Sequence, residues 1–488
     1  MKTVKTYSAI FILSFISIQN AVAQVAGTPY ITYMNTEIPV MCSDINTKGT
    51  DFWTTFGQNN EEPAGSVLMV LKIATETATS ITLTFTEGGT YTFSAAANTV
   101  STIDLSNVPT LGDKRNAVYA GVSAAGTTVS NKSLHITSTK PVSIYAFNTK
   151  SATTDATLLL PVAAWGTDYY RMSNALVVPS TDLVAPKNFY DCEMIIAREA
   201  TTLTLPGGAT RTLSAGQVYC NASTSEMTGR HITSDKPVAY FTHTTLSAVP
   251  AGRNFGDILF EQLMSVDRWG NQFLIPNAQQ GGNSMNNLVR VIASEDGTKV
   301  NFSGAGRTGG QNISSGGTLN AGQWVELTLS SATGACYINS DKPTGVAAYL
   351  VGDGTKNNAN YFGDPSIAWV PALNQNIQSV LITPFMFTTN NNNTHTNFDE
   401  PNSSHYAIVI TKTATKTQTK INSAAITSNW TDNAASGCSY YIKKFDNTND
   451  RDKTFAIENP NGVIVMVYGI SRVESYYYNA GSGACVIN

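Results

Sequence analysis

The sequence predicts an all-β protein made of four tandem antiparallel repeats, each sandwich-like and ~100 residues long. Three observations predict it. First, the segment His135-Ile-Thr-Ser-Thr-Lys-Pro141-Val returns as His231-Ile-Thr-Ser-Asp-Lys-Pro237-Val and as Tyr337-Ile-Asn-Ser-Asp-Lys-Pro343-Thr. A worn copy reads Ala456-Ile-Glu-Asn-Pro-Asn-Gly462-Val. The isoleucines stand at 136, 232, 338 and 457, so the spacings are 96, 106 and 119 residues. Second, two further markers keep the same period. Gly49-Thr-Asp-Phe-Trp matches Gly166-Thr-Asp-Tyr-Tyr and Gly270-Asn-Gln-Phe-Leu, with Asn376-Ile-Gln-Ser-Val as the fourth copy, and Leu213-Ser-Ala-Gly-Gln217 matches Leu319-Asn-Ala-Gly-Gln323. Third, the chain is 42% hydrophobic but only 13% charged. An average domain carries about 25% charged residues. Its surface is therefore covered by neutral Thr, Ser and Asn, and Thr among apolar residues suits half-buried strands.

The elements follow in chain order. Lys2 and Lys5 precede an apolar run, Ala9 to Ile18, that is too short to span a bilayer. Ala21-Val22-Ala23 fits a small-x-small cleavage pattern, so the expectation is a signal peptide over 1–23. The protein is then exported, to the periplasm, the cell surface or beyond. Cleavage removes two lysines and leaves 28 basic against 34 acidic residues. Cys42 lies too far downstream for a lipoprotein anchor, and no later run is long and apolar enough for a membrane helix. Residues 24–48 form a linker or strand, and the repeats occupy 49–165, 166–269, 270–374 and 375–488.

Inside the first repeat, Ser66 to Ala74 is an apolar run, Ser80 to Phe85 alternates, and Glu87-Gly88-Gly89 turns the chain. Tyr91 to Ser94 and Thr99 to Leu105 follow, then a hairpin around Pro141. The second repeat matches it, with Cys192 to Arg198, Thr202 to Leu205, Thr210 to Leu213 and Gln217 to Asn221. Period-two alternation between Gly-rich turns is the strand signature. About seven strands per repeat suits a two-sheet sandwich. Propeller blades usually fit four strands into ~40–50 residues. A closed, pseudo-fourfold, propeller-like ring is the alternative. Helix is scarce: Ile258 to Asp267 is the best candidate. Pro161 and Pro371 limit the matching segments Leu158 to Trp165 and Ile367 to Leu373 to single turns.

The six cysteines are Cys42, Cys192, Cys220, Cys336, Cys438 and Cys485. An even number in an exported chain permits disulfides. Cys192 with Cys220 is the first candidate pair, since they flank two short strand-like runs, and Cys438 with Cys485 is the second.

The residues that carry chemistry elsewhere are not patterned for it here. His135 and His231 precede the repeated Ile at equivalent positions, as scaffold residues would. His243, His395 and His405 lack metal-ligand spacing, and no nucleophile elbow, P-loop or dinucleotide fingerprint occurs. No catalytic residue, metal ligand or cofactor is assigned. A glycosidase needs two facing acids, but Asp257, Glu261 and Asp267 read like solvated loop acids. Asp446-Asn-Thr-Asn-Asp450-Arg-Asp452 has the oxygen density of a calcium loop without its Gly and bidentate Glu. A solvated turn is the expectation there. The mild net charge of -4 disfavours nucleic acid.

Gly-Thr-Asp-Phe-Trp-Thr-Thr-Phe (49–56), Leu-Pro…Trp-Gly-Thr-Asp-Tyr-Tyr (160–170) and Ser-Asp-Lys-Pro-Val (234–238) resemble the N-terminal domain of the IgGFc-binding protein family. Relatives of that domain occur in secreted bacterial proteins and in an animal mucus protein. The resemblance covers about 49 to 477 and implies a secreted β-rich binding or adhesion module. It assigns no site residue.

The expected function is recognition of an extracellular glycan or glycoprotein, such as host mucus or matrix, without catalysis. Loops between strands would carry it. Thr244 to Asn254, Gly352 to Tyr361 and Thr388 to Pro401 are long and polar, and Tyr476-Tyr477-Tyr478 offers rings for sugar stacking, though strand alternation would bury some of them. No ligand-binding residue is assigned. A structural subunit of a surface assembly is the alternative, and a glycan-processing enzyme the second alternative.

Overall fold

One long strand organises each quarter of the chain. The computed structural model describes residues 45–484 except 61–62, 123, 151–152, 175–188, 252–255, 279–285, 353–362, 386–402, 452 and 472–473. The signal segment and Cys42 therefore lie outside the described residues. The long strands are Leu134–Lys150, His231–Ser247, Ala335–Leu350 and Phe455–Ile470. Each contains the Lys-Pro marker or its worn equivalent.

The expected hairpin at that marker is instead one continuous, bent strand. Gly49 pairs with Val142, yet Asp51 pairs with Thr137, so the register shifts across Pro141. The same shift occurs at Gly166/Asp168, Gly270/Gln272 and Ile377/Ser379. Proline cannot donate to a ladder, and a bulge is where a strand tolerates it and bends. The bend lets one strand serve two sheets. In the first repeat its N-terminal half lies between Thr79–Phe85 and Gly49–Thr54, with Thr90–Ala95 outside. Its C-terminal half lies between Leu68–Thr75 and Thr153–Leu159, with Thr99–Asp104 outside. Leu71, Ile73, Leu83 and Phe85 fill the space between these sheets. All four repeats follow this antiparallel sandwich plan.

The sandwiches also close on one another. The last strand of each second sheet is buried on both faces: Thr153–Leu159, Asp257–Gln262, Ser366–Trp369 and Ser475–Gly481. The first packs against the second and fourth, and the third packs against the same two. These axial strands complete a four-membered ring. The tandem sandwiches and the pseudo-fourfold ring are thus two aspects of one architecture. The expected helix at Ile258 to Asp267 is the axial strand Asp257–Gln262 followed by a single turn, Val266–Arg268. Apolar clusters cross every boundary. One joins Leu71, Met194 and Ile292, another Val291 and Ile408, and a third Val409 and Phe147.

Closure between the fourth and first repeats uses both ends of the described chain. Thr47 N–H donates to Ser482 O (2.9 Å), and Ala484 N–H to Ile45 O (2.8 Å). Lys48 Nζ reaches Glu76 Oε1 (2.6 Å) and Ser379 Oγ (2.9 Å), and Tyr145 OH donates to Ala480 O (2.7 Å).

At the axis, the edge of each axial strand that faces away from its long strand would leave N–H groups unpaired in a dry interior. Asp155 supplies acceptors for them. Its Oδ1 takes the N–H of Ala156 (2.9 Å) and Tyr477 (3.3 Å), and its Oδ2 that of Phe260 (3.0 Å) and Ile367 (3.2 Å). Ala156, Phe260, Ile367 and Tyr477 pair with Phe147, His243, Tyr349 and Tyr468. Those four stand at one distance from the marker isoleucines, so the donors are equivalent residues, one per repeat. A single carboxylate marks the pseudo-fourfold axis.

Asp155→Ala would leave four buried N–H groups without acceptors. At roughly 1–3 kcal/mol for each unsatisfied group, the loss in unfolding free energy should reach about 4 kcal/mol or more. Urea unfolding of Asp155→Ala beside the exposed-site control Asp113→Ala checks this. A loss for Asp155→Ala no larger than the control's would refute the axial role.

Candidate functional site

Strand direction decides where the variable connections fall. Each long strand ends where its axial strand begins, and an earlier strand of the same repeat starts alongside that end. Leu68 pairs with Thr149, Asp191 with Thr244, Leu288 with Tyr349 and Ser404 with Ile470. The described residues that bound the longer connections, Asn174 and Phe189, Ala278 and Asn286, Phe385 and Ser403, Ala251 and Gly256, and Gly352 and Gly363, therefore sit at one end of the ring. Backbone bonds join neighbouring repeats at this end. Asn60 N–H donates to Thr245 O (2.9 Å), Gly352 N–H to Val249 O (3.1 Å) and Gly363 N–H to Ser471 O (2.8 Å).

Three carboxylates, Asp257, Asp364 and Glu474, lie buried where the axial strands start from this end. Asp257 Oδ1 accepts Ile258 N–H (2.7 Å), whereas Asp364 Oδ1 lacks a hydrogen-bond partner. Burial pushes Asp257 well above the usual carboxylate range, and the negative charges of Asp364, Asp155 and Glu474 push it further. Burial, then Glu474, raises Asp364 likewise. Glu261 sits deeper along the axis. Burial and Asp155 raise it, against the Trp369 N–H and the Thr157 hydroxyl. Asp267 is at the other end of its axial strand, in the Val266–Arg268 turn, where it accepts the Ser265 hydroxyl. The acids considered for glycosidase chemistry are thus two buried axial carboxylates and one distant turn residue. Among the described residues no three of His, Cys, Asp and Glu are placed to hold a metal ion.

The family profile described as "IgGFc binding protein" matches residues 155–469, more than half of the chain. The chain belongs to the IgGFc-binding protein family. A human relative, "IgGFc-binding protein", is 26% identical over 278 residues, which is 52% of this chain and 5% of the relative. The chain therefore spans a small fraction of that protein's length. Among solved structures, a tetra-tandem repeat in the extending region of a large adhesion protein aligns with 88% of this chain and 98% of its own. Identity is 13% and the TM-score 0.09.

The repeated markers of this IgGFc-binding family member build contacts between strands and between repeats. His135 bonds Asp51 through Nε2 (2.8 Å) and stacks on Trp53, with ring centroids 4.2 Å apart. His231 repeats this with Asp168 (2.7 Å) and Tyr170 (4.3 Å). In the third repeat Tyr337 OH donates to Gln272 Oε1 (3.3 Å). The Leu-Ser-Ala-Gly-Gln turn presses on the preceding repeat. Gly216 has φ +78° and leaves no room for a Cβ beside Thr86 and Trp53, and Gly322, with φ +76°, lies against Tyr170 and Gly229. The histidines are scaffold residues, as their equivalence implies.

Other expected sites resolve differently. Tyr476, Tyr477 and Tyr478 are all buried, because their axial strand is covered on both faces, so none is free to stack on a sugar. Asp446 forms a turn, its Oδ1 accepting the N–H of Thr448 (2.9 Å) and Asn449 (2.6 Å). These bonds hold its pKa below the usual range. Residues 244–247 end a long strand and are not loop. Thr388 to Pro401 lies outside the described residues, as does most of Gly352 to Tyr361.

Cys192 and Cys220 do come together. They stand diagonally on one face of adjacent strands, since Cys192 pairs with Ala222 and Cys220 with Met194. The bond with the Cys220 thiol and burial push the Cys192 thiol well up. Cys192, Cys220, Cys336 and Cys438 are free thiols in this structure. Diagonal Cβ atoms stand farther apart than a disulfide's ~3.5–4.5 Å. Cys485 lies outside the described residues.

Residue-type patterns alone pass over the buried ion network between the second and third repeats. Arg171 is wholly buried and donates to Asp191 and to Cys192 O (2.6 Å). Glu193 accepts from Asn221 (2.8 Å), Arg230 (2.9 Å) and Tyr240 (2.8 Å). Arg290 bridges Glu226 and Glu326 and lies over Trp324 at 4.1 Å. Pairing offsets the desolvation of these buried charges.

The buried acids set a pH dependence. Asp364 has a folded pKa above its unfolded value, so the folded state keeps a proton that the unfolded chain releases. Its contribution is present at low pH and declines as pH rises through the folded pKa. Asp364→Asn should therefore gain thermal stability relative to the parent between about pH 5 and about pH 9. A parent–variant gap that stays constant across that series would contradict the assignment.

Proposed function

We propose that this is an exported, non-catalytic binding protein whose signal peptide is cleaved near Ala23. Its ligand is an extracellular glycoprotein or glycan held by the connections at one end of the ring. The observation that carries this reading is that the described residues bounding those connections sit together at one end of a four-repeat frame. Their sequences are rich in Asn, Gly, Ser and Thr: Gly-Asp-Gly-Thr-Lys-Asn-Asn-Ala-Asn-Tyr (352–361) and Thr-Thr-Asn-Asn-Asn-Asn-Thr-His-Thr-Asn (388–397). Amides and hydroxyls suit neutral polyols and glycoprotein surfaces, and loops on a scaffold carry recognition. Family membership supports a binding role, and the human relative is named for binding the Fc part of IgG. The axial acids are too enclosed to reach a substrate, which favours binding over hydrolysis.

Immobilised mucin, deglycosylated mucin and IgG Fc, each probed with the chain from residue 24 onward, separate the ligand classes. The expected result is retention on mucin, loss after deglycosylation, and no change in the glycans by mass. Replacing 353–360 and 389–396 with Gly-Ser segments of equal length should abolish retention while the unfolding midpoint stays within about 2 °C. Retention that survives both replacements would move the site off this end of the ring, and glycan cleavage would make the protein an enzyme.

A further inference from the structure

The rim of the ring differs from quarter to quarter. In the first repeat the segment Gly126–Ser130 leaves its own sandwich and pairs with Val218–Ser223 of the second, with Ser130 opposite Val218 and Gly126 opposite Ala222. It becomes the outermost strand of the second repeat's sheet. Gly126 to Val129 are exposed. Val129, 42% exposed, is the large hydrophobic residue left open to solvent among those described.

An open strand edge is a template for another strand, and proteins usually block it with charge, brevity, proline or a bulge. The later repeats do so. Ala305–Gly310 carries Arg307 and a register shift, and Thr431–Asn433 is three residues long with Asp432 paired to Lys416. Thr210–Leu213 carries Arg211, while Gly317–Leu319 and Ala424–Ala425 are very short. Thr99–Asp104 ends on an acid and is flanked by Ile377–Ile382 of the fourth repeat. Gly126-Thr-Thr-Val-Ser130 has none of these devices. It also already serves as a strand added across a boundary, so a further strand would continue an interface the chain makes within itself.

We propose that the outer edge of Gly126–Ser130 is a self-association surface whose occupant is the same strand of a second copy. Antiparallel pairing about a two-fold axis at Thr128 sets Thr128 against its own counterpart. It also sets Thr127 against the partner subunit's Val129. Threonine and valine are favourable cross-strand neighbours, and no like charges meet. The contact is isologous, so it closes at a dimer and does not propagate into a fibre. A strand of this length buries little area, so the dimer is weak and concentration-dependent. It would present two ligand-binding ends on one particle, which raises avidity for a repeating ligand without new contacts to it. That consequence rests on the proposed function; the dimer itself does not.

Sedimentation velocity over a hundredfold range of concentration tests it, using the chain from residue 24 onward. The expected result is a monomer–dimer equilibrium for the parent, its loss in Thr128→Lys, and its retention in Thr128→Val. Thr128→Lys puts like charges directly opposite across the two-fold axis. Residue 128 is exposed, so both variants should melt with the parent. A parent that stays monomeric throughout, or a dimer that persists in Thr128→Lys, overturns the proposal. So does a dimer that resists Thr128→Lys but dissociates in Thr92→Lys, which would place the contact on the other uncharged edge, Thr90–Ala95.

Discussion

A ring of β strands has to dispose of the backbone groups that point at its own axis. Each axial strand pairs with a long strand on one side only, and the other side faces the three equivalent strands. Orphaned donors there cost as much as lost hydrogen bonds. Asp155 answers this with two oxygens and four N–H partners. Similar side-chain capping recurs along the same strands: Thr157 Oγ1 accepts Gln262 N–H, Gln262 Oε1 accepts Leu160 N–H, and Thr244 Oγ1 accepts Leu259 N–H. Burial pushes Asp155 well up, against the pull of its four N–H partners. Those four N–H groups occupy both oxygens, which offsets part of the cost of burying an acid at the axis.

One repeat supplies this group, and its two oxygens already meet one donor from every repeat. The equivalent positions hold Leu259, Ser366 and Tyr476. The centre is where pseudo-symmetry must break, and it breaks in the first repeat. The rim breaks it again: the same repeat gives up a strand to its neighbour. A chain of diverged copies can afford both departures because each long strand holds its own sandwich together regardless of what happens at the axis or the edge.

Much of this was legible in the chain, and the reasons differ by element. Alternation in Thr79–Phe85 exposes one face and buries the other, so period two shows plainly. The markers are visible because they are contact residues. Asp51 and His135 must meet across two strands, and the Gly216 turn must fit against Trp53, so residue identity is restricted at each position. The axial strands were harder. Ile258 to Gln262 is buried on both faces and carries no alternation, and a short apolar run before a Trp-Gly turn reads equally well as helix. Asp155 sits in Thr-Thr-Asp-Ala-Thr, where nothing distinguishes an axial acceptor from a solvated strand acid. Its partners are Phe260, Ile367 and Tyr477, hundreds of residues away in part, and they contribute only backbone. Sequence shows Cys192 and Cys220 flanking two short strand-like runs but does not fix whether their strands are adjacent, or whether the two stand opposite or diagonal.

The same geometry argues about function. Acids converge on the axis, which in another fold would suggest a catalytic centre. Here Asp155 and Asp257 spend oxygens on backbone N–H groups, and these acids and Glu261 are buried beside aromatic residues such as Phe260, Tyr476 and Tyr478. Raised pKa values at such positions report enclosure and mutual repulsion, and a general acid additionally needs a substrate within hydrogen-bond reach. Among the described residues, polar side chains open to solvent lie on rim strands such as Gly126–Ser130 and Thr210–Leu213.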